Sequence, residues 1–148
     1  MVKAGDPAPD FELPDQTGER VRLSSFRGRP VVLYFYPKDF TSGCTTEARE
    51  FASVQDELER RGVVVLGVSA DSVESHRKFS ERLGVKFRLL SDPERKVIEA
   101  YGARAGGRTR RMTFIIDREG RIAHVFPAVK PAGHAAEVLR KLEELGLI

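Results

Sequence analysis

The chain has 148 residues, 41% of them apolar and 32% charged, the proportions of a globular protein long enough for one sizeable core. The formal charge of +3 is a modest excess spread over the chain, and the single cysteine excludes a scaffold held by internal disulfides. MVKAGDPAPD at the start has no apolar core of a signal peptide and no run is long enough for a bilayer, so a reducing, cytoplasmic setting is expected.

The first thirty residues are rich in Gly, Pro and Asp, with FEL and RVRL as small strands about the turn DQTGE. PVVLYFY, 30–36, is a nearly unbroken β-branched and aromatic run, the pattern of a central strand covered on both faces. TTEAREFASVQDELERRG follows with Ala48, Phe51, Ala52, Gln55 and Leu58 at helical spacing, and Gly62 ends it. VVVLGVSA, 63–70, predicts a second central strand. Asp71 or Ser72 then caps a helix over SVESHRKFSERLG, with Val73, Phe79 and Leu83 facing inward. KFRLLSD predicts a short strand, and PERKVIEAYG a helix with Pro93 at its first position. RAGGRTRR, the densest basic stretch, reads as a solvated loop rather than a nucleic-acid site, since no aromatic residues interleave it. MTFIIDREGRIAHVF predicts a hairpin about Glu119 and Gly120, and HAAEVLRKLEELGL a last helix packing through Ala136, Leu139, Leu142 and Leu145. Parallel crossovers followed by an antiparallel hairpin give a mixed sheet in an α/β sandwich. The ends of its two central strands, near residues 37 and 70, should lie side by side, at an edge where such sheets commonly place chemistry.

Cys44 follows Thr41, Ser42 and Gly43, which are turn and cap residues, and falls in the expected first turn of a helix. Unpaired N–H groups and the helix dipole favour negative charge there, which turns a thiol into a nucleophile. Position alone leaves a half-buried cysteine without function as an equal alternative, and there is no CxxC pair. Thr41, three residues ahead, can point its hydroxyl at the same spot, and Pro37 closes the strand with a wall that offers no N–H. Arg110 and Arg111 begin RMTFIID, where a guanidinium beside the pocket would supply a fixed cation and donors for an incoming oxygen. His76, His124 and His134 follow no ligand spacing and read as surface or structural residues.

Pro37–x–x–x–Thr41–x–x–Cys44, with AGDPAPDFELPDQTGE before it and GVSADSVESHRKF and RRMTFIIDREGRI after it, resembles the peroxiredoxins of the bacterioferritin comigratory protein or Q-type branch. The resemblance covers essentially the entire chain. It implies a thioredoxin fold with extra N-terminal strands, a mixed central sheet flanked by helices, in a single domain over 1–148. It implies a thiol peroxidase for hydrogen peroxide and organic hydroperoxides, with no metal or other cofactor. Cys44 then matches the peroxidatic cysteine, Thr41 its hydroxyl partner, Pro37 the shielding proline and Arg111 the second-strand arginine, with Arg110 the weaker candidate. Ser42 stands where many members have proline, and Arg49 where many carry a second, resolving cysteine.

The chain therefore resembles one-cysteine variants, whose oxidised cysteine is returned by an external thiol: thioredoxin, glutathione or a glutaredoxin, or a small thiol. No nucleic acid or membrane partner is expected, and the chain should be a monomer or weak homodimer. A general thiol–disulfide oxidoreductase is one alternative, though disulfide exchange has no need of the threonine and arginine. A non-enzymatic stress or holdase protein is another, though the sequence shows no large apolar surface stripe.

Overall fold

The computed structural model describes residues 2–148. Strands β1 (Glu12–Pro14) and β2 (Arg20–Arg22) form a small antiparallel ribbon. Asp15 closes its turn by accepting from the Thr17 hydroxyl and from the N–H groups of Thr17 and Glu19. A single 3-10 turn, Leu23–Phe26, leads into β3 (Val31–Phe35) and the long helix α1 (Ser42–Arg60). Next come β4 (Val64–Ser69), α2 (Val73–Leu83), β5 (Arg88–Ser91) and the short α3 (Lys96–Ala100). A two-residue ribbon, β6 (Arg104–Ala105) and β7 (Arg108–Thr109), precedes the hairpin β8 (Met112–Ile116) and β9 (Ile122–Phe126), and α4 (His134–Glu144) follows.

The central sheet has the order β5-β4-β3-β8-β9. β3 runs parallel to β4 and antiparallel to β8, so the sheet is mixed as the element order requires. Alternation along β3 splits the core in two. Val32, Tyr34 and Tyr36 meet α1, α2 and α4 on one face, while Val31, Leu33 and Phe35 meet α3 and the N-terminal segment on the other. This is the thioredoxin fold with extra N-terminal strands. It places the carboxyl ends of β3 and β4, paired at Phe35 and Val68, beside each other under the start of α1.

Three local expectations shift. The third helix begins at Lys96 rather than Pro93, because the Asp92 carboxylate accepts from the Ile98 N–H and fixes the helix start beyond the turn at Pro93 and Glu94. α4 buries Ala135, Val138 and Leu142, while Ala136 and Leu145 are exposed. Leu142 and the partly buried Leu139 pack on the core as expected, and His134 at the helix start joins that face, buried and bonded to the Thr113 hydroxyl at 2.7 Å. The basic stretch is solvated as expected, exposed over 104–108, but residues 104–109 form a small β-ribbon turning on Gly106 and Gly107 rather than an open loop. Of the two candidate caps for α2, Ser72 is the one used: its side chain accepts from the Ser75 N–H.

Gly67 of β4 faces Tyr34 across the parallel pair. A Cβ there would stand 2.8 Å from the Tyr34 ring and 2.9 Å from its hydroxyl oxygen. The missing side chain leaves room for Tyr34 to stack on Phe51 of α1, 4.9 Å between ring centres. Gly67→Ala should therefore destabilise the protein by about 1–3 kcal/mol through overpacking, read as a lowered midpoint in urea unfolding with an unchanged slope.

Candidate active site

The site begins with a cap that does not cap. Thr41 holds the extended N-cap position of α1, yet its side chain makes no bond to a first-turn N–H. Its hydroxyl instead donates to the Lys38 carbonyl at 2.9 Å. The first turn of the helix, which carries Cys44 as its third residue, is thus left without a side-chain cap for its amide donors.

Cys44 is 1% exposed. It packs with Ala48 and Phe51 against Tyr34 and Tyr36. Arg111 comes to it from just before β8: Nη2 donates to Cys44 Sγ at 3.3 Å, and Nη1 donates to Glu47 Oε1 at 2.8 Å. Gly43 makes that approach feasible. A Cβ on it would lie 3.1 Å from Arg111 Nη2 and 3.2 Å from Pro131. The segment after β9 closes over the arginine: the Val129 N–H donates to the Arg111 carbonyl, and both Glu50 carboxylate oxygens accept from the Gly133 N–H.

The structure brings Cys44 and Arg111 into contact and sets Thr41 at the helix cap just ahead of the cysteine. Pro37 is half-buried, one residue beyond Tyr36 at the end of the β3 run. Arg110 is exposed and makes no ion pair among the described residues, so of the two arginines Arg111 alone reaches the thiol. Glu47 was not singled out from the sequence, though its place offered a signal. It lies three residues after Cys44, on the same helical face, so a carboxylate there is bound to meet the thiol's surroundings.

The electrostatics follow from burial. Glu47 is fully buried, and its Oε2 has no hydrogen-bond partner among the described residues. Desolvation outweighs the neighbouring guanidinium and raises its carboxyl to about 7. For Arg111, burial opposes the charge, but Glu47 and Cys44 together outweigh burial and hold it protonated. A fixed cation therefore sits on the sulfur of a buried cysteine at a helix start. That arrangement suits a nucleophilic thiolate and the stabilisation of an oxygen that gains charge beside it.

The AhpC/TSA family matches residues 4–125. The chain is 46% identical over 149 residues to the putative peroxiredoxin bcp of Coxiella burnetii, covering 95% of this chain and 99% of that one. Among solved structures it superposes on a cysteine-to-serine mutant of Xylella fastidiosa PrxQ with a TM-score of 0.93 at 34% identity, over 99% and 98% of the two chains. It superposes on the bacterioferritin comigratory protein of Xanthomonas campestris, a protein with alkyl peroxide reduction activity, with a TM-score of 0.89 at 35% identity, over 95% and 98%.

The raised Glu47 carboxyl has a consequence for stability. Between its unfolded value of 4.5 and its folded value of about 7, the native state keeps a proton that the unfolded state has released. Stability contributed by this residue is thus fully present below pH 4.5 and falls as pH rises towards 7. Glu47→Gln cannot titrate. Urea unfolding at pH 5 and pH 8 should show the parent losing about 2.5 kcal/mol more than the variant between the two, and parallel changes in the two proteins would contradict the assignment.

Proposed function

The chain belongs to the AhpC/TSA family, among its Bcp and Q-type peroxiredoxins, and is a thiol peroxidase; from that premise we propose that Cys44 is the peroxidatic cysteine and that Thr41, Arg111 and Pro37 shape its reaction. The observation that carries the reading is the Arg111 guanidinium on the Cys44 sulfur at 3.3 Å, at the first turn of a helix. The Cys44 thiolate attacks the nearer oxygen of a hydroperoxide. The S–O bond forms as the O–O bond breaks, the sulfur is oxidised to a sulfenic acid and the peroxide is reduced to an alcohol or water. The leaving oxygen gains the charge the sulfur gives up and takes a proton. Arg111 and the first-turn N–H groups stabilise that charge, and Pro37 shields the thiolate without adding a donor. Substrates of this class include hydrogen peroxide and organic hydroperoxides.

The return half of the cycle uses an external thiol. The chain holds no second cysteine, and Arg49 occupies an exposed position five residues after Cys44. On a helix that separation means a rotation of about 140° and a rise of about 7.5 Å. The sulfenic acid therefore waits for thioredoxin, glutathione with a glutaredoxin, or a small thiol. The protein works as a monomer or weak homodimer, and a single thiol kept reduced suits the cytoplasm. No helix is long and apolar enough to cross a membrane.

Cys44→Ser should abolish peroxide consumption in stopped flow while leaving the unfolding transition nearly unchanged; a variant that still turned over at the parent rate would remove the assignment. Arg111→Ala should slow the oxidation step by roughly 10²-fold or more, because it deletes the donor to both sulfur and transferring oxygen. Intact mass after a stoichiometric peroxide pulse should show one added oxygen, and a second under excess. Rapid, complete covalent dimers at low protein concentration would overturn the external-thiol reading.

A further inference from the structure

A second cluster of buried polar groups lies beside the site and is not used by the chemistry described so far. His76 of α2 is 0% exposed and Asp39, in the loop before α1, is 3% exposed. Asp39 Oδ2 lies 2.7 Å from His76 Nδ1 and accepts from the Ser75 hydroxyl at 2.8 Å. Asp39 Oδ1 accepts from the Tyr36 hydroxyl at 2.7 Å. His76 Nε2 lies 2.9 Å from the Leu90 carbonyl, which can only accept. His76 Nε2 therefore donates to that carbonyl, while Tyr36, Ser75 and the other His76 ring nitrogen all close on the Asp39 carboxyl.

The ligand atoms of Asp39, Asp71 and His76 lie within 4.8 Å of one another, a spacing a metal ion could use. Here both His76 nitrogens and both Asp39 oxygens are already occupied by hydrogen bonds. The cluster is built to hold the chain.

What it holds is one peptide unit. The Asp39 N–H donates to Asp71 Oδ2 at 2.8 Å, and Asp71 Oδ2 is itself fixed by the Ser69 hydroxyl at 2.6 Å. The carbonyl at the other side of that same planar unit is that of Lys38, the acceptor of the Thr41 hydroxyl. A trans peptide points its N–H and C=O in opposite directions, so anchoring the one aims the other. Phe40, between Asp39 and Thr41, takes a left-handed φ of 67° with its ring edge-on to Phe79 at 5.1 Å. A non-glycine residue holds that conformation only where its neighbours fix it.

We propose that the Asp39–His76–Asp71 network is a positioning device for the peroxidase reaction: it orients the peptide between Lys38 and Asp39 so that Thr41 spends its proton on the Lys38 carbonyl and presents its oxygen as an acceptor to the hydroperoxide O–H. The inference rests on the reading of Cys44 and Thr41 as the reacting pair. An accepting Thr41 fixes the peroxide through its proton, with the nearer oxygen set for attack, while Arg111 serves the sulfur and the charge that leaves it.

The test compares two reactions of Cys44: oxidation by tert-butyl hydroperoxide, which needs the oriented acceptor, and alkylation by iodoacetamide, which needs only the thiolate. Asp39→Asn, His76→Asn and Asp71→Ala are measured singly and in a Thr41→Val background. Each single variant should slow oxidation about tenfold or more and change alkylation by less than about threefold. In the Thr41→Val background the same changes should add less than about threefold, because the group they orient is gone. Asp71→Ala alters a half-buried residue, so it carries the test if the buried pair does not tolerate change. Equal losses in the two reactions would reduce the network to a structural role and overturn the inference. Full additivity with a Thr41→Val that does slow oxidation would overturn it while leaving Thr41 in place. A silent Thr41→Val would overturn the reading of Thr41 and the inference with it.

Discussion

A guanidinium between a buried carboxylate and a buried sulfur is the constraint around which this end of the molecule is arranged. Arg111 reaches Glu47 with one nitrogen and Cys44 with the other. A buried charge is tolerated only when its donors and acceptors are matched, and the surroundings show what that matching demands. Position 43 is glycine because any side chain would meet Arg111 and Pro131. The segment after β9 is tied to α1 through Glu50, and to the arginine's own backbone through Val129. Glu47 carries an unmatched oxygen and a raised carboxyl, so the strain of the arrangement is concentrated on that residue.

The rest of the fold delivers these groups. β3 and β4 run parallel and end together, and the chain leaving β3 must turn into α1 across that edge. β8 lies antiparallel to β3 with Phe35 opposite Met112, so the residue just before β8 arrives where β3 ends. Arg111 therefore meets Cys44 as a result of strand register. Two residues 67 apart in sequence become neighbours because one starts a strand where its antiparallel partner stops.

Much of this was legible in the chain. The unbroken apolar runs gave both central strands within a residue or two at each end, since a strand covered on both faces leaves no polar positions to blur its limits. The placement of Pro37, Thr41 and Cys44 between the end of β3 and the first turn of α1 was readable because their spacing is local. Arg111 was readable as a charge at a strand start, but its choice of partner was a matter of register that no local pattern encodes. Glu47 and His76 escaped for a different reason. Glutamate and histidine on helices are ordinarily solvated or half-buried, and only the tertiary packing shows that these two are enclosed. Part of the α4 face escaped likewise: Leu142 and Leu139 pack on the core as their spacing suggested, but Ala135, Val138 and the buried His134, bonded to Thr113, complete that face in place of Ala136 and Leu145.

In the cycle proposed above, with Cys44 as the reacting thiol, its enclosure separates the two halves by size. At 1% exposure the sulfur admits a molecule as small as a peroxide far more readily than a thiol carried on a bulky partner. For the larger reagent, the first turn of α1 or the strap running over it from β9 must open, and the two are joined by the Glu50–Gly133 clasp. Such local opening is a fluctuation of native protein, with a steep temperature dependence of its own. Warming or mild denaturant should thus hasten access of a bulky reductant while disordering the pocket that peroxide needs. In that proposed cycle, return of the enclosed thiol depends on breathing motions of the helix start.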